Sequence, residues 1–147
     1  MDTDVCIQEL SEVSEMTVLS LNRLLPQLSS RAQPLNLLTL GAITADPDVE
    51  LYVANHGDKI VGALTLVVFS IPTGTRAIIE DVIVDGDFRG RSIGRRLLEF
   101  AIHRAKVRGA KTVDLTSRPD RGAANRLYLN VGFCIRETNV YRIDLSE

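Results

Sequence analysis

The stretch of this chain best equipped for chemistry is Arg89-Gly90-Arg91-Ser92-Ile93-Gly94-Arg95. Gly90, Ser92 and Gly94 carry little or no side chain, so the backbone there can lie close against a ligand. Arg89, Arg91 and Arg95 bring positive charge to the same place. Apolar residues at Ile93, Leu97, Ala101 and Ala105, widened by Leu98 and Ile102, predict a helix that starts in this loop. A helix start leaves N–H groups without acceptors and carries the positive end of the macrodipole, which suits an anion. Two phosphate-binding loops are excluded by spacing. Gly90-Arg91-Ser92 breaks the G-x-G pair of the dinucleotide fingerprint, and no Gly-Lys-Ser/Thr follows Gly86 or Gly90 to make a P-loop.

The elements that must position this loop follow from hydrophobic period. Just before it, Ile78, Ile79, Val82, Ile83 and Val84 make a β-branched run ended by the turn formers Asp85-Gly86-Asp87. Residues 5–9 alternate as an opening strand. A helix is expected from Ser11, with Glu12 and Glu15 near its positive end, to Pro26 or slightly before it. A second short helix covers 35–43, and Asp46-Pro47-Asp48 is a turn. Strands at 51–55 and 59–69 meet at His56-Gly57-Asp58, and a turn at 71–74 leads into the strand through Glu80. Three strands on short turns make an antiparallel meander. Beyond the loop helix, Gly109 is suited to end it. A strand at 111–116, a helix at 123–131, and strand material at 133–136 and 139–145 close the chain.

A single domain over residues 1–147 is expected, with 45% hydrophobic and 24% charged residues around one core. A net charge of −2 speaks against a nucleic-acid partner. The density of Arg and Lys from Arg89 to Arg108 suits a small polyanion better than a duplex. Cys6 and Cys134 show no metal-ligand spacing and no disulfide framework, so no metal is expected. The apolar run at 64–69 is broken by Thr65 and is too short for a bilayer, and the acidic start Met1-Asp2-Thr3-Asp4 is no signal peptide. These features point to the cytoplasm and to no membrane partner.

The loop resembles the pyrophosphate loop of the GNAT superfamily of N-acetyltransferases, written Q/R-x-x-G-x-G/A. Arg89 opens it, Ser92 stands where the middle glycine usually sits, and Gly94 closes it. The departure at Ser92 asks either for an unstrained φ or for a hydroxyl that helps to bind phosphate. A second segment, Ala124-Asn125-Arg126-Leu127-Tyr128-Leu129-Asn130-Val131-Gly132-Phe133, is similar to the family's A/N-x-x-L-Y-x-x-x-G-F. The order of elements is similar to the GNAT fold across nearly the whole chain. The resemblance therefore implies an α/β fold of the mixed, α+β kind. Its central sheet would be mixed, mostly antiparallel and flanked by helices, with strands splayed around an acetyl-CoA cleft.

For the site, the resemblance implies that the strand ending at Val84 parts from the one starting at Lys111. The pantetheine arm would pair along Val82, Ile83 and Val84 through the backbone of Val82 and Val84. The pyrophosphate would take N–H groups along Arg89, Gly90, Arg91, Ser92, Ile93, Gly94 and Arg95. Arg96 and Arg104 are expected on a solvated face. Acetyl transfer to an amine moves two protons, one off the ammonium and one onto the departing sulfur. Glu80, a carboxylate in an apolar run open to desolvation, is the candidate base, with its neighbour Asp81 competing. Tyr128 is the candidate acid, since a phenol near pKa ~10 can protonate a thiolate near ~8.5; its alternative is packing beside Phe133. Asn125 either holds the cofactor or caps the preceding loop. His56 and His103 are given no role, and Cys134 is read as a small core residue. With no nucleophile beside a base, direct transfer in a ternary complex is expected. The implied activity is acetyl-CoA-dependent N-acetylation of a primary amine. The acceptor is open between a protein lysine or N-terminus and a small amine, which Arg118, Arg121, Arg136 and Arg142 would allow to be anionic. A non-catalytic acyl-CoA sensor is the alternative, and a homodimer is left open.

Overall fold

The computed structural model describes residues 4–146. Five strands lie in sequence order across one sheet: β1 (Val5–Glu9), β2 (Val49–His56), β3 (Lys59–Ile71), β4 (Gly74–Val84) and β5 (Val113–Asp114). The first four are antiparallel neighbours, and β5 runs parallel to β4. Helices α1 (Glu15–Leu28) and α2 (Leu37–Ala45) follow β1, α3 (Ile93–Val107) links β4 to β5, and α4 (Gly122–Val131) follows β5. The mixed, mostly antiparallel sheet flanked by helices agrees with the expected fold class. Among the described residues no helix is long and apolar enough to cross a membrane.

Each sheet face buries its own core because the side chains of a strand alternate. Leu21, Leu24 and Leu40 of α1 and α2 pack with Val53, Ala63 and Ile83 on one face. Leu97, Leu98 and Ala101 of α3 pack with Leu64, Leu66 and Ile79 on the other. Helix α3 sits very close to β3. A Cβ added to Gly62 would come within 3.2 Å of Ile83 O, Ile93 Cγ2 and Leu97 Cδ1.

Several expectations are corrected. Helix α1 starts later than Ser11, because Ser14 and Thr17 form a capping box: Thr17 N–H donates to Ser14 Oγ at 3.2 Å, and Ser14 N–H to Thr17 Oγ1 at 2.9 Å. Pro26 lies inside the last turn rather than ending the helix. Neither Arg96 nor Arg104 is idle. Arg96 donates to Val5 O at 2.8 Å, fixing α3 to the first strand. Arg104 and Arg108 converge on the buried carboxylate of Glu50 at 2.8 and 3.2 Å, pinning the same helix to β2. Strand β5 is reduced to two residues, because its ladder with β4 holds only Ala77↔Val113 and Ile78↔Asp114. The strands expected at 133–136 and 139–145 are absent: residues 133–146 run without turn, bend or strand pairing. A β-prone sequence needs a partner strand, and no ladder pairs with this segment among the described residues. Cys134 is exposed rather than in the core.

Candidate active site

Beyond Ile78, β4 has no neighbour on its β5 side among the described residues, so a wedge opens between the two strands. Asp85 N–H donates across to Val61 O at 2.8 Å. By alternation, the backbone N–H and C=O groups of Val84 and Val82 then face the wedge, and those of Ile83 face β3. The wedge-facing backbone groups of Val82 and Val84 thus have no ladder partner among the described residues.

The wedge contains a bulge. Thr65 pairs with Glu80 and Ala63 with Ile83, so Leu64 stands opposite both Asp81 and Val82. Asp81 takes the extra position with φ +52°. A bulge shifts the phase of its strand and re-aims the side chains on either side of it. Ile79 packs in the α3 core, whereas Ile83 packs in the α1 core. Glu80, next to Ile79 and across from Thr65, faces the α1 side and is exposed. The desolvation expected around Glu80 is thus not supplied by its own chain. Strict alternation also no longer separates Glu80 from Asp81, because the bulge falls between them, and Asp81 too is exposed.

Tyr128 approaches β4 from the opposite face. It is 8% exposed and belongs to the core that contains Ile79. Burial pushes its phenol above the ordinary value, against the opposing pull of the Arg121 charge. Its ring also meets Phe133 edge-on, with centroids 6.1 Å apart. Packing and a retained proton therefore coexist at this residue. Glu80 stands on the α1 face of β4, and Tyr128 belongs to the core on the opposite face of the sheet. Asn125 is committed to its own loop: its Nδ2 donates to Arg118 O at 3.0 Å, which is the loop-capping alternative.

Ser92 is the N-terminal cap residue of α3 but makes no side-chain cap hydrogen bond. The first-turn N–H groups of Ile93, Gly94 and Arg95 precede any intrahelical acceptor. Gly90 has φ +80°. Ser92 itself stands at φ +62°, so the unstrained option is excluded and the residue holds a conformation that favours glycine. Gly94 answers a packing need: an added Cβ would lie 3.1 Å from Leu127 Cδ2 and 3.7 Å from Val84 Cγ2, between β4 and α4. Of the arginines, Arg95 is paired with Glu99 at 2.8 Å along the helix. Arg91 lies over the Phe88 ring, 4.6 Å from its centroid.

Two features were missed. Phe88, in the turn Gly86–Phe88, gathers Arg91, His56 (ring centroids 5.1 Å) and Lys59 (5.5 Å) around one ring. An aromatic residue stranded in the polar run Asp85-Gly86-Asp87-Phe88-Arg89 was the available signal. The other feature is a latch from α1. Arg23 Nη1 donates to buried Asp85 Oδ2 at 2.8 Å, Arg23 Nη2 donates to Ile60 O at 3.0 Å, and Gly86 N–H donates to Gln27 Oε1 at 2.9 Å. Helix α1 thereby holds the entrance of the loop. Its residues lie some sixty positions away in sequence, and no local pattern announces them. Among the described residues no cluster of three or more metal-ligating side chains occurs.

Comparison with known proteins fits this geometry. The family model described as "Acetyltransferase (GNAT) family" matches residues 18–133. The chain is 40% identical over 57 residues to the ribosomal protein bS18-alanine N-acetyltransferase of Salmonella typhimurium. That match covers 39% of this chain and 38% of the relative, so the chain spans well under half of its length. The fold superposes with a TM-score of 0.82 on a transcriptional regulator from Bacillus halodurans C-125, at 28% identity, covering 95% of this chain and 99% of that one. It superposes at 0.87 on the aminoglycoside acetyltransferase meta-AAC0020 from an uncultured soil metagenomic sample, at 21% identity and 99% of each chain, a likeness of fold alone. The family match covers both the Arg89–Gly94 loop and the Asn125–Phe133 segment, and the chain belongs to the acetyltransferase (GNAT) family.

Proposed function

We propose that the chain is an acetyl-CoA-dependent N-acetyltransferase that transfers the acetyl group directly to a primary amine within a ternary complex. The observation that carries this reading is the unpaired edge of β4, with Glu80 on its α1 face and Tyr128 in the core on the opposite face. The backbone groups of Val82 and Val84 suit the amide-bearing pantetheine arm. The N–H groups at the start of α3, with Arg91 steadied by Phe88, suit the pyrophosphate. Acetyl-CoA supplies an activated thioester carbonyl. Glu80, directly or through water, takes the proton of the acceptor's ammonium, and the freed nitrogen forms its bond to the carbonyl carbon. Tyr128 donates its proton to sulfur as the carbon–sulfur bond breaks, and the second proton of the acylated nitrogen returns to the Tyr128 oxygen, directly or through water. Burial raises the Tyr128 phenol, so it enters the reaction protonated and gives up its proton only as negative charge gathers on sulfur.

For the acceptor's place we take an open groove of about 500 Å³ between α1 and α2, the helices on the Glu80 face of the sheet. Val18, Leu19, Leu35 and Leu38 line it, and its one charged residue is Glu15. That lining favours an amine with an apolar flank, such as a peptide N-terminus, over an anionic small molecule. Steady-state turnover with a panel of amines tests the proposal. Thiol release equal to acetylated amine, with intersecting initial-velocity lines, is expected. Parallel lines would point to a covalent enzyme intermediate, and acetyl-CoA binding without turnover on any amine would make the chain a sensor.

A further inference from the structure

Among the described residues, two buried side-chain oxygens have no hydrogen-bond partner: the hydroxyls of Tyr52 and Ser117. A buried hydroxyl without a partner lowers stability, so each asks for a reason. The Tyr52 hydroxyl lies among the Glu50 and Arg104 charges that pin α3 to β2. Ser117 stands elsewhere, in the segment that carries the chain from β5 to α4.

The ladder between β4 and β5 fixes how deep in the wedge Ser117 sits. Its pairs are Ala77↔Val113 and Ile78↔Asp114. Counted on along both chains, Leu115 comes level with Ile79, Thr116 with Glu80, and Ser117 with Asp81, the bulged residue. Val113 and Leu115 pack against the core that holds Tyr128. Burial keeps that period past the end of the ladder: Leu115 and Ser117 are half-buried, whereas Thr116 and Arg118 are exposed. Ser117 therefore shares the Tyr128 face, and Thr116 the Glu80 face. The following loop is closed at the start of α4, where Arg121 N–H donates to Arg118 O at 3.1 Å and Asn125 Nδ2 to the same oxygen at 3.0 Å. Helical side chains lean toward the N-terminus of their helix, so Tyr128, about two turns into α4, leans toward this loop. The Arg121 charge acting on the Tyr128 phenol agrees.

We infer that Ser117 is a catalytic residue whose hydroxyl donates a hydrogen bond to the thioester sulfur as the carbon–sulfur bond breaks. The inference rests on the acetyl-transfer reading. With the pyrophosphate at the start of α3 and the pantetheine arm along Val84 and Val82, the thioester falls at the bulge, level with Ser117. The amine arrives from the Glu80 face, so sulfur leaves toward the face that Tyr128 and Ser117 share. Tyr128 gives its proton to sulfur, whereas Ser117 keeps its own and shares it in a hydrogen bond. A donor whose bond forms only as charge gathers on sulfur lowers the barrier and does not tighten substrate binding.

Ser117→Ala tests the role through kinetics, the ionisation of bound coenzyme A, and urea denaturation of the free protein. Its kcat should fall about tenfold or more, with KM for acetyl-CoA unchanged. The hydroxyl favours the thiolate of bound coenzyme A, so in the variant that thiol should ionise about one pH unit higher, read by the ultraviolet absorbance of the thiolate. The urea midpoint should stay level or rise, because the variant removes a hydroxyl that has no partner. A kcat within about twofold of wild type, or an unmoved thiol ionisation, overturns the role of Ser117 and leaves acetyl transfer standing. So does a slower variant whose urea midpoint has dropped, since the hydroxyl is then structural. A wild type that releases no thiol from acetyl-CoA with any amine overturns the acetyl-transfer reading, and this inference with it.

Discussion

Replacing Ser92 with glycine should make the protein more stable and its cofactor binding weaker, two effects of opposite sign from one substitution. Ser92 holds φ +62° and ψ 20°, in the left-handed region. A residue with a Cβ loses about 1–2 kcal/mol there. Its hydroxyl makes no cap hydrogen bond to α3, so removal breaks none of the helix's own contacts. The greater freedom of glycine in the unfolded chain offsets part of the relief, by about 0.4–1 kcal/mol. The net gain should be about 0.5–1 kcal/mol, or roughly 2–3 °C in Tm for a chain of this size. A strained serine is worth keeping if its hydroxyl bonds a phosphate oxygen. A hydrogen bond to a charged group contributes about 1.5–3 kcal/mol, so affinity for acetyl-CoA should fall about tenfold or more. Urea denaturation reads the first effect and calorimetric titration the second. Ser92→Ala separates them: it keeps the strain and loses the hydroxyl, so affinity should fall with no gain in stability. A glycine variant no more stable than wild type refutes the strain argument, and unchanged affinity in both variants removes the hydroxyl from the site.

Glu80→Gln should slow turnover most at neutral pH, with the deficit shrinking as pH rises and the amine sheds its own proton; a deficit equal at every pH would assign Glu80 to positioning. Tyr128→Phe should cut turnover by about a hundredfold while cofactor affinity and the core persist, and rates equal to wild type would leave the residue as packing. Asp81→Gly should fold with stability within about 1 kcal/mol of wild type, because glycine accepts φ +52° freely, and should keep most activity. Loss of activity in a folded Asp81→Gly, with a mild effect at Glu80, would move the base to Asp81. Arg23→Met should cost about 2 kcal/mol at neutral pH. The Arg23 guanidinium, helped by the Asp87 N–H and opposed by burial, holds the Asp85 carboxyl below the usual range. With the folded value below the unfolded one, that stability is present above the ordinary carboxylate pKa and is lost as pH falls toward and through the folded value. Urea midpoints of the two proteins should therefore converge in acid, and an equal gap at both pH values would rule the ion pair out as the cause.

The loop at Arg89–Gly94 and the Tyr128 segment were legible because each is a local pattern: a helix period, small residues at a turn, and a fixed spacing to Gly132 and Phe133. The latch of Arg23 and Gln27 on Asp85 and Gly86 was not, since burial and charge pairing between distant segments leave no periodic trace. The bulge lies between these cases. Ile78-Ile79 and Val82-Ile83-Val84 are apolar on both sides of Glu80-Asp81, so hydrophobicity alone cannot reveal a change of phase within the run. Two adjacent carboxylates in such a strand were nevertheless a sign, because strict alternation would force one of them toward the α3 core. Inserting one residue resolves the conflict: both carboxylates stay exposed, while Ile79 and Val82 pack toward the same core. Ile83 is thereby returned to the α1 core. Without the extra residue, Ile83 would point at α3 and Val84 at α1, and the edge presented to the wedge would shift by one residue. The irregularity that keeps Asp81 out of the α3 core thus also sets which backbone groups of Val82 and Val84 are open to a ligand.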